Sequence, residues 1–180
     1  MTRFVNMAGH GLPLYIWEQI AAAAVDTTAW DVGAQRAQRE TGAFSYRNTV
    51  IREVDGEAVA ALIGYPLPDT PDPARFDDLP EMYLALQELE DLVPGTWYVN
   101  VLATLETMRG KGLGQGLLGV AEDLAHASGC KGLSLIVVDS NAGARRLYER
   151  NGYEEVAQRP MIKENWQSDG VNWVLLCKLF

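Results

Sequence analysis

Cysteine is scarce in this chain of 180 residues, which contains only Cys130 and Cys177. Both lie in apolar surroundings, and neither belongs to a spacing that is typical of metal ligands. We therefore expect free, buried thiols and neither a disulfide scaffold nor a metal site. So few cysteines in a chain of this length also favour a reducing compartment, though weakly.

Long apolar runs are absent as well. No segment approaches the roughly 20 apolar residues that a helix needs to span a bilayer. The N-terminal segment lacks the continuous apolar core of a secretory signal. These two observations predict a cytoplasmic protein that makes no membrane contact.

Basic residues are outnumbered, with 15 Lys and Arg against 24 Asp and Glu, which gives a net charge of −9. A nucleic-acid surface needs clustered Lys and Arg, so this class of partner is not expected. Acidity more often serves solubility than function, but it is compatible with a cationic substrate such as an amine.

The sequence does contain enough apolar material for one core, at 48% of residues, and we expect a single domain over 1–180. Periodicity and turn signals predict its elements. In chain order they are helices 12–24 and 31–40, strands 49–54 and 57–65, a short helix within 81–92, strand 97–104, helix 112–128, strand 133–138, helix 142–150, and strands 153–159 and 171–179.

Three local patterns support these assignments. Asp55-Gly56 between the first two strands is a strong hairpin signal. Asn151-Gly152 is typical of a helix C-terminus. The helix over 112–128 has an apolar stripe that we expect to be buried, formed by Leu113, Leu117, Val120, Ala121 and Leu124.

Proline is concentrated in an arm over residues 66–94. Five of the eight prolines lie between Pro66 and Pro80, so we expect no regular strand or helix there. Two interpretations of the arm stay open. It either forms part of a substrate pocket or lid, with Glu88, Glu90 and Asp91 favouring a cationic amine, or is a solvated surface loop.

The central strand–helix–strand segment over 97–138 predicts a parallel strand pair, because such a crossover is right-handed and returns in the same direction. Hairpin-like strands flank this segment on both sides. The sequence therefore predicts an α/β (α+β) fold, with a mixed, mostly antiparallel sheet of six to seven strands and helices on both faces.

Glycines at 110, 112, 114 and 116 precede or open the central helix. They remove side chains from a helix N-terminus, whose unpaired backbone N–H groups and positive dipole end form an anion site suited to pyrophosphate. Arg109 and Lys111 add positive charge. The alternative is a glycine-rich turn with solvated cations.

A dinucleotide fingerprint also matches in this region, with Gly114, Gly116 and Gly119 followed by Asp139 about twenty residues further on. However, that fingerprint places its first glycine at the end of a strand, whereas Gly114 lies well past Thr104. The chain also offers one strand–helix–strand unit, and no Walker A motif is present. The dinucleotide interpretation is therefore the weaker one.

Two motifs resemble those of the GNAT N-acetyltransferase superfamily. Arg109-x-x-Gly112-x-Gly114, between a strand and a helix, is similar to its acyl-CoA loop. The segment over 141–153, NAGARRLYERNGY, is similar to its second signature, Asn-x-x-Ala-x-x-Leu-Tyr-x-x-x-Gly-Phe/Tyr. Together the two matches extend over residues 97–154, about a third of the chain.

The resemblance implies that the central parallel strands splay apart and admit acetyl-CoA as co-substrate. Backbone groups of Leu102, Ala103 and Thr104 would pair with the pantetheine arm, and Asn141 would contact the same arm. The hydroxyl of Tyr148 would lie near the thioester sulfur. The pyrophosphate would be bound by the loop of Arg109, Gly110, Lys111, Gly112, Leu113, Gly114 and Gln115.

Asn141 and Tyr148 differ by about 700° around a helix, so both can face one narrow slot. The implied function is an N-acetyltransferase in which a primary amine of a small molecule or a protein attacks acetyl-CoA directly, with Tyr148 as catalytic acid. Alternatives are a Tyr148 that only packs, an Asn141 that only caps, and a catalytically silent acyl-CoA-binding module.

The general base is not assigned by the sequence. Some relatives that modify protein N-termini carry Glu in the strand before Asn141, whereas this chain has Ile136 there. Other candidates for the general base stay open. The acceptor, the acyl-chain preference and the oligomeric state, including a homodimer, are also left open by the sequence. The candidate bases are Glu88, Glu90, Tyr98, Asn100 acting through water, and His10.

Overall fold

A computed structural model describes residues 1–72 and 79–180. Six strands form one sheet in the order β1-β2-β3-β4-β6-β5. The pair β3–β4 is parallel, while β1–β2, β4–β6 and β5–β6 are antiparallel, which confirms the predicted fold class. The strands are β1 (Thr49–Val54), β2 (Glu57–Pro66), β3 (Trp97–Thr104), β4 (Gly132–Val138), β5 (Glu154–Pro160) and β6 (Asn172–Leu179).

Six α-helices accompany the strands in the described part of the chain. They are α1 (Thr2–Ala8), α2 (Leu12–Ala22), α3 (Ala29–Ala37), α4 (Glu81–Glu90), α5 (Leu113–Ala127) and α6 (Ala142–Arg150). Short 3-10 turns lie at Tyr46–Asn48 and Glu106–Met108. The predicted elements are all present, and most boundaries differ by one or two residues, but α1 was not predicted.

The N-terminal boundary of α3 was placed too late, at residue 31. The helix begins after Thr28, whose hydroxyl oxygen accepts a hydrogen bond from Asp31 N at 3.2 Å. The Asp31 carboxylate in turn accepts one from Thr28 N at 2.9 Å. This capping box satisfies two backbone donors and fixes the start of the helix.

The chain divides into two compact units, and the single-domain boundary stays a prediction. The first unit comprises residues 1–64 and 100–117. Its core joins the N-terminal helices to strands β2 and β3, since side chains from both layers form one buried cluster. The cluster consists of Phe4, Val5, Trp17, Ala21, Val32, Ala61, Ile63, Val101 and Ala103.

The second unit comprises residues 65–99 and 118–180. Strand β4 lies at its centre, paired in parallel with Trp97–Val99 and antiparallel with β6 over its whole length. Thr96 and Ser134 are both fully buried. The Thr96 hydroxyl donates to Val93 O at 2.7 Å, so the Ser134 hydroxyl donates to Thr96 Oγ1, also at 2.7 Å. Six of the seven residues of β4 are buried, which confirms the prediction of a buried strand from its apolar run.

The burial of α5 differs from the prediction. Leu117 and Ala121 are buried as expected, but Val120 and Leu124 are 36% and 37% exposed. Leu118 and Ala125 are buried instead. The buried face is thus rotated around the helix relative to the predicted stripe. Apolar residues lie on two adjacent faces of α5, so the sequence alone does not determine which face is buried.

The Pro-rich arm lies partly outside the described residues, since 73–78 fall there. Strand β2 ends at Pro66, and Leu67 N still donates to Thr96 O at 2.8 Å. The predicted amphipathic helix is confirmed as α4, with Met82, Ala85 and Leu89 buried. No helix among the described residues is long and apolar enough to cross a membrane.

Candidate active site

The glycine loop follows β3 in the first unit. After the strand, Leu105 N donates to Val59 O at 2.9 Å, and a 3-10 turn leads to Arg109. Gly110 and Gly112 have φ of +75° and +79°, which residues with a Cβ adopt only with strain. A Cβ at either position would meet nothing within 4 Å, so glycine here supplies a backbone conformation rather than space.

The loop leads directly into the N-terminus of α5. The first bond of the helix ladder joins Gly116 N to Gly112 O at 2.9 Å. The N–H groups of Leu113, Gly114 and Gln115 precede that bond and have no acceptor within the helix. The first turn carries no acidic residue, and Arg109 and Lys111 are exposed beside it. This is the electrostatic setting of an anion site.

The predicted pantetheine-binding residues lie at the end of β3. Ala103 is buried, with its side chain in the core of the first unit, while Leu102 and Thr104 are half-buried. The splay of the central strands and the pairing of this segment with a cofactor stay predictions.

Asn141 and Tyr148 lie in the second unit, at the start and towards the end of α6. The Asn141 side-chain oxygen accepts a hydrogen bond from Ala144 N at 3.1 Å, so the residue does cap the helix. Capping does not exclude cofactor contact, because an amide side chain has both donor and acceptor groups.

Tyr148 is 7% exposed, and its ring centroid is 5.8 Å from that of Tyr153. Burial raises the pKa of the Tyr148 phenol well above its ordinary value. The phenol is therefore neutral at physiological pH and carries its proton. It is also a weaker acid than free tyrosine. Its hydroxyl can therefore donate a hydrogen bond, but complete transfer of its proton is unfavourable.

A second buried tyrosine lies near Tyr148. Tyr98 is 5% exposed, and its ring meets that of Tyr65 edge-on at 5.8 Å between centroids. Burial raises the pKa of Tyr98 well above its usual range, and the nearby charges of Glu90, Tyr65 and Tyr148 raise it further. All four residues belong to the second unit.

Residues 16–153 match the Acetyltransferase (GNAT) family. The chain belongs to the GNAT acetyltransferase family. The predicted family is thereby confirmed.

Individual relatives agree with this assignment. Uncharacterized N-acetyltransferase YhfO of Bacillus subtilis (strain 168) is 44% identical over 59 residues, which cover 33% of this chain and 40% of that protein. The match thus spans less than half the length of this curated relative.

Two solved structures share the fold. A crystal structure of an acetyltransferase has a TM-score of 0.62 at 23% identity, covering 99% of this chain and 96% of that one. A GNAT family acetyltransferase from Elizabethkingia anophelis, solved with acetyl-CoA bound, has a TM-score of 0.52 at 17% identity, covering 73% and 75%.

The dinucleotide interpretation does not fit this GNAT chain. The third fingerprint glycine normally permits close helix–strand packing, yet a Cβ at Gly119 would meet nothing within 4 Å. Asp139, the proposed ribose ligand, instead accepts hydrogen bonds from Val171 N and Asn172 N, each at 2.9 Å. Burial raises the pKa of Asp139, but these bonds outweigh it and lower the pKa below its usual value.

The candidate bases belong to both units. Glu88 forms an ion pair with Arg159 Nε at 2.8 Å, and Tyr98 stays neutral at physiological pH. His10 and Asn100 belong to the first unit, and Glu90 belongs to the second. Among residues 1–72 and 79–180, no group of three or more His, Cys, Asp or Glu could hold a metal ion.

Sequence reasoning did not find Tyr65. The hydrogen bond from Leu67 N to Thr96 O sets a register that places Tyr65 opposite Tyr98. If the start of the arm had been predicted to continue the pairing of β2 with β3, this register would have placed Tyr65 next to Tyr98. The prolines instead favoured an irregular segment from Pro66 onwards.

The buried tyrosines predict an unusual alkaline titration. Burial raises the pKa of Tyr98, Tyr148 and Tyr153, so these three of the seven tyrosines ionise at a higher pH in the folded protein than in the unfolded chain. The unfolded chain releases these protons near pH 10, so stability falls as pH rises above that value. Tyrosinate absorbance of native and denatured protein measures the effect. Simultaneous ionisation of all seven near pH 10 in the folded state would contradict it.

Proposed function

We propose that this chain transfers an acetyl group from acetyl-CoA to a primary amine of a small molecule or a protein. The observation that carries the proposal is the N-terminus of α5, which lacks acidic residues and follows two glycines of positive φ. The GNAT family membership supports it, as does the acetyl-CoA in the Elizabethkingia anophelis structure.

The donor is bound through its diphosphate. The N–H groups from Gly110 to Gln115 donate to the phosphate oxygens, and Arg109 and Lys111 contribute charge. Backbone groups of Leu102, Ala103 and Thr104 pair with the pantetheine arm, and Asn141 contacts it. Backbone hydrogen bonds suit this arm because it contains two amides of its own.

The chemistry is a direct displacement. The neutral amine attacks the thioester carbonyl, and backbone N–H groups at Leu102 and Ala103 stabilise the oxyanion. Collapse of the tetrahedral intermediate breaks the carbon–sulfur bond. Tyr148 donates to the departing sulfur, and the proton lost by the amine passes to solvent, so the products are an amide and coenzyme A.

The raised pKa of Tyr148 modifies this role. A free thiol has a pKa of about 8.5, so complete proton transfer from a buried phenol to the thiolate is unfavourable. A hydrogen bond that strengthens as negative charge develops on sulfur requires no such transfer. Final protonation of coenzyme A then occurs with the help of solvent.

The described part of the arm contributes to the acceptor side. Helix α4 belongs to it, and the negative charge of Glu90 contributes to the raised pKa of Tyr98. Glu88 and Asp91 are directed elsewhere, since Glu88 bonds to Arg159 and Asp91 accepts from Gln87 Nε2 at 3.0 Å. The predicted preference for a cationic amine rests on the negative charge that Glu88, Glu90 and Asp91 give to the C-terminal end of α4.

A panel of primary amines tests the function. With acetyl-CoA, thiol release should exceed the hydrolysis background for at least one alkylamine, and mass spectrometry should find the acetylated product. Binding of acetyl-CoA without release in the presence of any amine or peptide would indicate a silent binding module. Binding of NAD in preference to acetyl-CoA would also contradict the proposal.

A further inference from the structure

The connection between strand β4 and helix α6 is very short. Only Asp139 and Ser140 lie between the end of the strand and the capping Asn141. Within this connection Asn141 N donates to Val138 O at 3.0 Å, and Ala142 N donates to Ser140 O at 2.9 Å. The chain therefore leaves the sheet in a tight turn, and the position of Asn141 depends on how that turn is held.

Asp139 holds the turn against the start of β6. The register of the sheet pairs Val138 with Trp173, so Asp139 lies opposite Asn172. Asp139 N donates to Asn172 O at 3.0 Å, as in a regular antiparallel ladder. The return bond is different, because Asn172 N donates to the Asp139 carboxylate at 2.9 Å. A side chain thus closes the ladder at the point where the main chain turns away from the sheet.

The same carboxylate accepts two further hydrogen bonds. Its other oxygen accepts from Val171 N at 2.9 Å, and the side-chain amide of Asn172 donates to it at 3.2 Å. Gly170 is buried beside this group, and a Cβ there would clash with Val138 and lie 3.2 Å from the carboxylate. Three donors from two adjacent residues therefore fix the Asp139 carboxylate in tightly packed surroundings.

We propose that Asp139 is a positioning residue, which places Asn141 for contact with the pantetheine arm of acetyl-CoA. Its carboxylate ties the turn that carries Asn141 to the first residues of β6. The Asn141 amide is thereby held in place before the cofactor arrives, so binding requires less ordering than it would with a mobile turn. The inference rests on the proposed function, because it needs the contact between Asn141 and the cofactor.

The test separates the two parts of the cofactor. Asp139→Asn keeps the size of the side chain but has a single acceptor oxygen, so the bonds from Val171 N and Asn172 N cannot both persist. The Kd for coenzyme A should rise about tenfold, the upper range for loss of one hydrogen bond. The Kd for its nucleotide part alone, which keeps the diphosphate but lacks the pantetheine arm, should stay within about twofold.

A double-mutant cycle connects the effect to Asn141. In an Asn141→Ala background, Asp139→Asn should weaken coenzyme A binding by no more than about twofold, because the side chain that it places is already absent. A residue that only stabilised the fold would weaken binding equally in both backgrounds.

Asn172→Ala is a milder variant, which decides the question even where Asp139→Asn does not fold. It removes one of the three donors to the carboxylate and keeps both backbone bonds. The Kd for coenzyme A should rise about threefold, and that for the nucleotide part should not change.

Asp31→Asn is the matched control. The Asp31 carboxylate also accepts a backbone hydrogen bond, from Thr28 N at 2.9 Å, but it caps α3 in the first unit. The variant should lose stability and keep both Kd values. Calorimetry measures the Kd values, and circular dichroism establishes that each variant is folded.

Two kinds of result overturn the inference in distinguishable ways. An unchanged Kd for coenzyme A, equal weakening of coenzyme A and its nucleotide part, or a full effect in the Asn141→Ala background removes the positioning role of Asp139 and leaves the proposed acetyl transfer intact. Absence of coenzyme A binding by the unmodified protein overturns the proposed function and this inference together.

Discussion

Replacing Tyr148 with Phe is expected to lower kcat for acetyl transfer by about 100-fold, the lower range for loss of one hydrogen-bond donor to the charge that develops in the transition state. The ring is retained, so its packing 5.8 Å from Tyr153 persists, and only the hydroxyl is lost. Without that donor, negative charge on the departing sulfur is not stabilised. Steady-state thiol release measures kcat, and calorimetry should find an unchanged Kd for acetyl-CoA.

Tyr153→Phe provides the control for this result. Tyr153 is also buried, with a pKa raised by burial, and it loses the same hydroxyl in the same neighbourhood. The kcat of the Tyr153→Phe variant should stay within about threefold of that of the unmodified protein. A fall of less than about threefold in Tyr148→Phe, with acetyl-CoA binding intact, would contradict the role of Tyr148.

The double substitution Gly110→Ala and Gly112→Ala is expected to raise the Kd for acetyl-CoA about 100-fold. Each residue has positive φ, where a Cβ costs about 1–2 kcal/mol, so the loop gains by leaving this conformation. Its N–H groups then no longer converge on the diphosphate. A combined cost of about 3 kcal/mol corresponds to about two orders of magnitude in affinity.

Gly129→Ala is the matched control for the glycine loop. Gly129 has φ of +69°, and a Cβ there would also meet nothing within 4 Å, so the local strain is the same. The variant should lose a similar amount of stability per substitution but keep its Kd for acetyl-CoA. Equal loss of affinity in both variants would show that general destabilisation, not the loop, is responsible.

Much of the fold follows from local signals. Strand β3 and helix α6 have the predicted boundaries, because a β-branched and aromatic run and a capping Asn define them. The hairpin at Asp55 and Gly56 has the two positive φ values that its turn requires. Gly152, with φ of +84°, terminates α6 as its position indicated.

The errors arise where tertiary packing decides. Helix α1 is only seven residues long, too short for a periodic signal, and packing of Phe4 and Val5 into the first core accounts for its burial. The buried face of α5 could not be read either, because Leu117 and Leu118 are adjacent and both are buried. Short helices, and the buried face of a helix that is apolar on two sides, can be predicted only when the elements packed against them are known.

The candidate site divides in the same way. The glycine loop and the Asn141–Tyr148 spacing could be predicted, since each depends on residues close together in sequence. The contact between Tyr65 and Tyr98 could not, because strand register brings these distant segments together. The upward pKa shift of Tyr148 likewise comes from burial, which its own helix does not determine.

The central claim is that the N-terminus of α5 binds the diphosphate of the acyl donor. Titrating isotope-labelled protein with coenzyme A and following backbone amides by NMR tests it most directly. We predict large, saturable shifts for Gly110, Gly112, Gly114 and Gln115, and none of that size with NAD at equal concentration. Shifts confined to other residues, with these four amides unmoved at saturation, would contradict the account.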